Sequence, residues 1–392
     1  MKNILIVDDS ALMRRLISDI ITSDKRFEVK DLAIDGLQAL DLIVKNYRAY
    51  DAVILDINMP RMNGLELLEQ LQKNRIKICV IMVSTLTKAG AKETILALER
   101  GAFDFVTKPE NYLDAKSREF KGRLLEMLCV ATKIPYQTVS AAENQATSQI
   151  LRRTEMKTAI PAKSDLGTAS AGKIGVRPPK NLSFAPHKKL LGSKAGKSKL
   201  VALACSTGGP KSLQSVIPKL PKDLDAPVVL VQHMPKGFTN SLAARLNEMS
   251  QVEVKEAADG DILQKGWVYI APGGKQMRIQ KSGTNYKIVT TDEPDRDGLK
   301  PCANIMYESL VGSSFDEITC VVLTGMGADG TMGIGALGEK NNIYVISQDE
   351  ATSVVYGMPR AVAEAKLSDE VQPLEKIADA VTKNVGVLIH GR

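Results

Sequence analysis

A serine, a histidine and an aspartate stand close behind three apolar segments in the second half of the chain. Ser206, His233 and Asp329 each come within six residues of the end of such a segment. Short apolar segments predict buried strands, and ligands bind outside the carboxyl ends of parallel strands, where three such side chains can converge. The chemistry would be acyl transfer, in which His233 takes the proton of Ser206 and Asp329 orients His233. The three segments are residues 200–204, 228–231 and 319–323.

The turn that carries Ser206 favours a nucleophile but also permits a structural interpretation. It joins a predicted buried strand to a predicted helix, so free backbone N–H groups point at whatever the hydroxyl would attack. Gly208 and Gly209 let a substrate approach the backbone closely. Taken alone, the stretch is more typical of a serine N-cap. The G-x-S-x-G elbow of the α/β-hydrolases is absent, since Ala204 stands where its first glycine would be.

A second interpretation of the same region is dinucleotide binding. Residues 325–330 read G-x-G-x-x-G behind a predicted strand, and Asp349-Glu350 follow at about the spacing of a ribose-binding acid. Against this hypothesis, the segment does not follow the first strand of its domain. It also leaves Ser206 and His233 without a role.

A different set of polar residues follows the strands predicted in the first third of the chain. Three carboxylates close to one another repel unless a hard cation lies among them, and Mg²⁺ prefers oxygen ligands. A carboxylate beside Mg²⁺ and a lysine can attack a phosphoryl group. The pattern therefore predicts a phosphoryl-transfer site rather than solvated or helix-capping acids. The residues concerned are Asp8, Asp9, Asp56, Ser84-Thr85 and Lys108-Pro109.

The elements that must position these residues belong to two α/β domains. Five alternating strands and helices over residues 1 to about 130 predict a flavodoxin-like, doubly wound parallel sheet. From Leu200 onward strand and helix alternate again, with a strand-rich section at residues 252–256, 267–270 and 286–290 and turn signals near Pro272-Gly273-Gly274 and Ser282-Gly283. This half is predicted to be a Rossmann-like α/β domain with an antiparallel insertion.

The segment between the two domains differs from both in composition. The chain of 392 residues has a formal net charge of +7, but residues 151–200 alone carry 12 Lys/Arg and two acids. Pro, Ser, Ala and Lys dominate this stretch, so it cannot bury enough apolar surface to order itself. The prediction is a domain at 1–130, a flexible basic linker at 131–198 and a second domain at 199–392. Without interleaved aromatic residues, the linker is not predicted to bind nucleic acid.

Composition also bears on location. No apolar run reaches membrane-spanning length, which predicts that this is not an integral membrane protein. The first residues lack a signal-peptide pattern, and five cysteines without close spacing argue against a disulfide framework or a metal cluster. We therefore expect a reducing, cytoplasmic location.

The first third closely resembles a response-regulator receiver domain. The resemblance rests on residues 7–10, 55–64 and 105–109, which read VDDS, LDINMPRMNG and FVTKP. It implies that Asp56 accepts the phosphoryl group and that a chemotaxis histidine kinase donates it. It implies Mg²⁺ held by Asp8, Asp9, Asp56 and the backbone carbonyl of Asn58. It further implies a switch made of Ser84, Phe105 and Lys108.

The second domain is similar to the chemotaxis protein-glutamate methylesterases, the CheB family. The shared motifs are STGGP at 206–210, QHMPKGFT at 232–239, YIAPG at 269–273, LTGMGADG at 323–330 and GMPR at 357–360. The resemblance implies a Ser206, His233 and Asp329 triad, with Thr207 and Met326 in the oxyanion region. It implies methylated chemoreceptors as substrates and a deamidase activity on receptor glutamines. No cofactor is expected for ester hydrolysis.

Two departures from the family pattern are visible. Cys205 replaces the small residue that usually precedes the serine, and the usual Pro-Ser-x-Asp reads Pro301-Cys302-Ala303-Asn304. The combined prediction is a phosphorylation-activated hydrolase whose unphosphorylated receiver covers the Ser206 cleft. The alternatives are a phosphorylation-controlled binding module with a vestigial hydrolase site and the dinucleotide enzyme described above.

Overall fold

The computed structural model describes residues 1–109, 118–134 and 198–388. The N-terminal domain, residues 1–134, has a five-stranded parallel sheet in the order β2-β1-β3-β4-β5. This order is that of a flavodoxin-like sheet and confirms the prediction for this half. Its strands are β1 (Lys2–Val7), β2 (Phe27–Ala33), β3 (Ala52–Asp56), β4 (Val80–Ser84) and β5 (Asp104–Thr107). Its helices are α1 (Ala11–Thr22), α2 (Gly36–Asn46), α3 (Gly64–Lys73), α4 (Lys88–Glu99) and α5 (Arg118–Ala131).

The apolar pattern of the N-terminal domain explains these elements. Strands β3 and β4 are buried at every residue, as expected for central parallel strands covered on both faces. Four helices begin at a polar side chain that accepts a backbone N–H, which satisfies one of the free donors of the first turn. These capping residues are Ser10, Asp35, Asn63 and Thr87.

The C-terminal domain, residues 198–388, is built on a seven-stranded sheet in the order β14-β13-β12-β6-β7-β9-β8. All the pairs in this order are parallel. Its strands are β6 (Lys199–Cys205), β7 (Val228–Gln232), β8 (Glu253–Glu256), β9 (Trp267–Ile270), β12 (Glu317–Val322), β13 (Ile343–Gln348) and β14 (Glu370–Gln372). Its helices are α6 (Gly209–Val216), α7 (Phe238–Met249), α8 (Ala303–Glu308), α9 (Thr331–Lys340), α10 (Met358–Glu364) and α11 (Ile377–Val385).

The predicted antiparallel insertion is a single hairpin. Strands β10 (Gln276–Ser282) and β11 (Asn285–Thr291) pair antiparallel. The insertion is therefore confirmed, but β8 and β9, which the sequence grouped with it, extend the parallel sheet instead. A loop rather than a helix connects β8 to β9, so the alternation used to recognise a parallel crossover is missing there.

The two domains are in contact along α4 of one and α7 of the other. Phe105 stacks on Phe238 with ring centroids 4.7 Å apart, and both side chains are buried. Beside this stack, Arg245 on α7 donates two hydrogen bonds to Glu99 at the end of α4, at 2.6 and 3.2 Å. Gln214 on α6 donates to the same carboxylate at 3.1 Å. The contact therefore joins an apolar centre to an ion pair at its edge.

The predicted basic linker falls almost entirely outside the described residues. Of residues 131–198, the structure describes only 131–134 and residue 198. Helix α5 ends at Ala131 and β6 begins at Lys199. Among the residues described, no helix combines the length and apolar character needed to cross a membrane.

Candidate active site

Ser206, His233 and Asp329 come from the ends of three neighbouring strands. Ser206 follows β6, His233 follows β7, and Asp329 lies in the loop between β12 and α9. In the sheet β6 lies between β12 and β7, so Ser206 occupies the middle position. The order of strands in space therefore differs from their order in the chain, where β12 comes last.

His233 and Asp329 meet across the end of β6. The His233 Nε2 atom lies 2.8 Å from the Asp329 Oδ2 atom, although 96 residues separate the two in the chain. This contact joins the two strands that flank β6, which places it beside the turn that carries Ser206. The Ser206 N–H donates to Thr324 O, and the His233 N–H donates to Cys205 O, so both residues are tied to neighbouring strand ends.

The Asp329 carboxylate is surrounded by donors from its own domain. Its Oδ2 accepts from the Ala303 N–H at 2.6 Å, and its Oδ1 accepts from the N–H groups of Asn304 and Gly330, both at 2.9 Å. The Cys302 Sγ is a further donor, 3.2 Å from Oδ1. Multiple donors fix both the position and the ionised form of the carboxylate.

The electrostatics of Asp329 follow from these contacts. Burial alone would raise the pKa of Asp329, but the hydrogen bond from His233 and the backbone N–H groups of Ala303 and Asn304 outweigh burial and lower it. Asp329 is therefore an anion at neutral pH, and an anion accepts hydrogen bonds. The His233 Nε2 atom must then carry a proton, which leaves Nδ1 as the nitrogen able to act as a base.

The turn around Ser206 is closely packed. Gly208 has φ 76°, a left-handed conformation that favours glycine, and a Cβ there would lie 2.5 Å from Val354 Cβ. Gly325 approaches so closely that a Cβ on it would lie 2.8 Å from Ser206 Cβ. Of the predicted oxyanion residues, Thr207 is buried next to Ser206. Met326 is half-buried and follows Gly325, the glycine that packs against Ser206.

The glycine-rich segment 325–330 does not have the features of a dinucleotide site. The Gly330 N–H, which would face a pyrophosphate at the start of α9, already donates to Asn304 Oδ1 and Asp329 Oδ1. The predicted ribose-binding acid, Asp349, accepts from the N–H and hydroxyl of Thr352 within its own turn. The motif therefore serves the internal packing of the site.

The polar residues of the N-terminal domain also meet at one edge of their sheet. Oxygen atoms of Asp8, Asp9 and Asp56 lie within 4.8 Å of one another. Lys108 Nζ lies 2.9 Å from Asp8 Oδ2 and 2.7 Å from Asp56 Oδ2. Burial raises the pKa of Asp56, while Lys108 acts in the opposite direction. Three oxygen donors around a partly compensated negative charge fit Mg²⁺.

The remaining predicted residues of this domain lie around that cluster. The Ser84 hydroxyl is buried, donates to Gly90 O and accepts from the Thr94 hydroxyl on α4. Asn58 is exposed and its side chain donates to Glu93, also on α4. The predicted switch aromatic, Phe105, is the residue that stacks on Phe238 of the C-terminal domain.

Comparison with known proteins identifies both halves. Residues 201–381 match the family described as CheB methylesterase, and residues 4–116 match the response regulator receiver domain. The protein-glutamate methylesterase/protein-glutamine glutaminase of Pyrococcus horikoshii is 38% identical over 388 residues, which cover 99% of this chain and 95% of that protein.

This chain belongs to the CheB family. A Bacillus subtilis family member of the same name is also 38% identical, covering 98% of this chain and 99% of that protein. The crystal structure of the Thermotoga maritima CheB methylesterase catalytic domain is 38% identical, covers 48% of this chain and 98% of that domain, and has a TM-score of 0.45. The family matches and the two relatives confirm the resemblance stated from the motifs.

Three parts of the site were not recognised in the sequence as functional. They are the Gln232 amide, which donates to Ser206 O and His233 O, the backbone N–H groups that hold Asp329, and the Glu99–Arg245 pair between domains. Gln232 had a signal, because it immediately precedes His233 in the QHMP motif. Backbone donors and surface charges carry no such signal, because every residue type except proline supplies an N–H and charged residues are common on surfaces.

Proposed function

We propose that this CheB family member hydrolyses methyl esters on glutamate side chains of chemoreceptors and deamidates receptor glutamines, with Ser206, His233 and Asp329 as its triad. The observation that carries the proposal is the 2.8 Å contact between His233 and Asp329 across the end of β6, the strand that leads to Ser206. The names of the relatives support the substrate class.

The mechanism follows from the roles of the three side chains. Ser206 Oγ attacks the ester carbonyl carbon while His233 Nδ1 accepts the hydroxyl proton, and Asp329 stabilises the resulting imidazolium. His233 then returns the proton to the departing methoxide, which leaves as methanol. Water attacks the acyl-enzyme with His233 again as base, and the products are a glutamate carboxylate and free Ser206. With a glutamine substrate the leaving group is ammonia.

The developing negative charge on the carbonyl oxygen needs donors near the serine turn. We assign this role to the backbone at Thr207 and Met326, which lie beside Ser206 and beside the glycine that contacts it. Fixed backbone donors stabilise the oxyanion because they need no reorganisation during the reaction.

The N-terminal domain is proposed to regulate this site. Asp56 would accept a phosphoryl group from a chemotaxis histidine kinase, with Lys108 contacting the phosphoryl oxygens. Mg²⁺ held by Asp8, Asp9, Asp56 and the Asn58 carbonyl would supply positive charge beside the phosphoryl group.

The domain contact supports a masking role for the unphosphorylated receiver. Phe238 begins the helix that follows His233, and Gln214 lies on the helix that follows Ser206, so the contact lies against both segments. Asp104 of β5 is buried facing Thr207 and Gly208. Phosphorylation at Asp56 would weaken this contact through Ser84 and Phe105 and shift the population toward an open form.

The test is methanol release from methylated receptor membranes, measured with and without a small phosphodonor. The full chain should release methanol, and the phosphodonor should increase the rate. Ser206→Ala should lower the rate at least about 10⁴-fold while phosphorylation of Asp56 continues. Methanol release that persists in Ser206→Ala would mean that a residue other than Ser206 is the nucleophile. A wild-type chain that becomes phosphorylated but releases no methanol would favour the binding module with a vestigial site.

A further inference from the structure

The side chain of Gln232 lies between the strand that leads to Ser206 and the strand that leads to His233. It is the last residue of β7 and is paired in register with Cys205, the last residue of β6. The ladder between the two strands ends with the bond from the His233 N–H to Cys205 O. Beyond that point no regular pairing holds the two chain segments that carry the nucleophile and the base.

Beyond the end of the ladder, the Gln232 amide connects the two chain segments. Its Nε2 donates to Ser206 O at 3.0 Å and to His233 O at 3.1 Å, which uses both amide hydrogens. The side chain is 2% exposed, so water does not compete for these bonds. One buried group therefore ties the backbone of the proposed nucleophile to the backbone of the proposed base.

The orientation of the amide is fixed from its other side. Cys205 Sγ lies 3.0 Å from Gln232 Oε1. Burial raises the pKa of the Cys205 thiol, so it stays protonated and acts as a donor. A flipped amide would place its oxygen against two carbonyl oxygens with no donor among them, and its N–H2 group against the thiol, where two donors would meet. The thiol and the two carbonyls therefore specify the same orientation.

Close packing limits the movement of the serine turn relative to this amide. A Cβ at position 209 would lie 2.0 Å from Gln232 Oε1 and 3.1 Å from Cys205 Cβ. Only glycine fits there while the amide keeps its place. The first residue of α6 thus packs directly on the group that also holds the backbone of His233.

We propose that Gln232 is a positioning residue for hydrolysis, which sets the separation of Ser206 and His233 through their backbone carbonyls, and that Cys205 orients its amide. The inference rests on the proposed function. Gln232 does not touch the reacting atoms in this scheme. Its loss affects the rate because a displacement of about 1 Å between nucleophile and base costs on the order of 100-fold in rate.

The test uses two readouts on the full chain incubated with a small phosphodonor, so that the receiver does not cover the site. The first is the rate at which a fluorophosphonate probe labels Ser206, which reports the reactivity of the hydroxyl independently of receptor binding. The second is the separation of kcat from KM for methanol release. Gln232→Met and Gln232→Glu should each lower the labelling rate and kcat about 100-fold and leave KM within about threefold. Cys205→Ser keeps a donor and should retain at least half of kcat, whereas Cys205→Ala should lose about threefold.

A double substitution and a matched control isolate the role of the amide. In the Gln232→Met background, Cys205→Ala should have no further effect on kcat, because the acceptor of the thiol is already gone. The control is Asn384→Leu, since Asn384 is also buried and donates both amide hydrogens, to Glu317 and Thr319, in the last helix of the domain. It should lower the melting temperature without changing the labelling rate of the folded protein.

Three results would overturn all or part of the inference, and they are distinct from one another. If the wild type labels at Ser206 and folded Gln232→Met or Gln232→Glu labels equally fast, Gln232 is merely structural and only this inference fails. If the wild type incubated with the phosphodonor is not labelled at Ser206, the proposed function fails and the inference fails with it. Should both Gln232 variants fail to fold, the Cys205 variants still test the orienting role of the thiol. A loss of kcat in Cys205→Ser as large as that in Cys205→Ala would contradict this role.

Discussion

The two halves of this protein place buried carboxylates at the same edge of the same kind of sheet and compensate their charge differently. In the N-terminal domain Asp56 is balanced by the side-chain ammonium of Lys108, and burial raises the pKa of the carboxyl. In the C-terminal domain Asp329 is held by fixed backbone N–H groups and by His233, which lower its pKa. The edge of the sheet gives both groups access to ligands, and the neighbours decide what each group does.

The difference explains the two proposed chemistries. A carboxylate with incomplete compensation is suited to take up a cation and a phosphoryl group, because its charge is still available. A carboxylate with five donors has no such capacity left and serves to orient another group. The charge at Asp56 in the receiver site can thus change when a cation or a phosphoryl group binds, whereas the charge of Asp329 in the hydrolase site stays fixed.

The largest predicted effect concerns the fixed carboxylate. Asp329→Asn should lower kcat for methanol release about 10⁴-fold, because an amide favours the wrong tautomer of His233 while the fold is retained. Steady-state methanol release checks this, together with circular dichroism to show folding.

Asp349→Asn is the matched control, since Asp349 also accepts hydrogen bonds in a turn of the same domain but holds only Thr352. We expect its kcat to stay within about twofold of the wild type. An Asp329→Asn enzyme with near wild-type kcat would contradict the assignment of the orienting carboxylate.

A feature of the fold or of the site could be predicted from the sequence only where it requires particular residue types. The strand ends carrying Ser206, His233 and Asp329 were predicted from apolar runs followed by polar residues, and the CheB resemblance from their motifs. The contact between β8 and β9 in the parallel sheet was not predicted, because their connection contains no helix. The backbone donors to Asp329 were not predicted either, because every residue except proline offers a backbone N–H.

The second prediction tests the partly compensated carboxylate. Asp56→Asn should abolish activation by a phosphodonor and raise the melting temperature at pH 7 by a few degrees. Since the folded pKa of Asp56 lies above its unfolded value, the wild-type fold loses stability as the pH rises from about 4 through the folded pKa. The advantage of the asparagine should therefore grow across that window and stay constant above it.

Urea unfolding at a series of pH values measures the difference in unfolding free energy between Asp56→Asn and the wild type. Asp51→Asn provides a control of opposite sign, because the pKa of Asp51 is lowered. Desolvation alone would raise this pKa, but the hydrogen bonds from Lys2 and from the Asn3 N–H outweigh desolvation. Removing that charge should destabilise the domain at pH 7. If Asp56→Asn were also destabilising, the charge of Asp56 would be as well compensated as that of Asp329.

The third prediction concerns the contact that connects the two sites. Glu99→Gln weakens the ion pair with Arg245 and should raise the unphosphorylated rate of methanol release about two- to fivefold, since such half-exposed pairs contribute about 0.2–1 kcal/mol. The rate with phosphodonor should not change, because that contact is already open. Glu69→Gln removes a comparable surface pair with Lys73 within α3 and should leave both rates as they are.

The smallest predicted effect refines the description of the fixed carboxylate. Cys302 Sγ is one of five donors to Asp329, and burial raises the pKa of its thiol, so it remains an S–H donor. Cys302→Ala should lower kcat about threefold, while Cys302→Ser, which restores the residue usual in this family, should keep or slightly improve it. Because four other donors remain, a loss as large as that of Asp329→Asn would mean that the backbone N–H groups hold the carboxylate less firmly than its surroundings indicate.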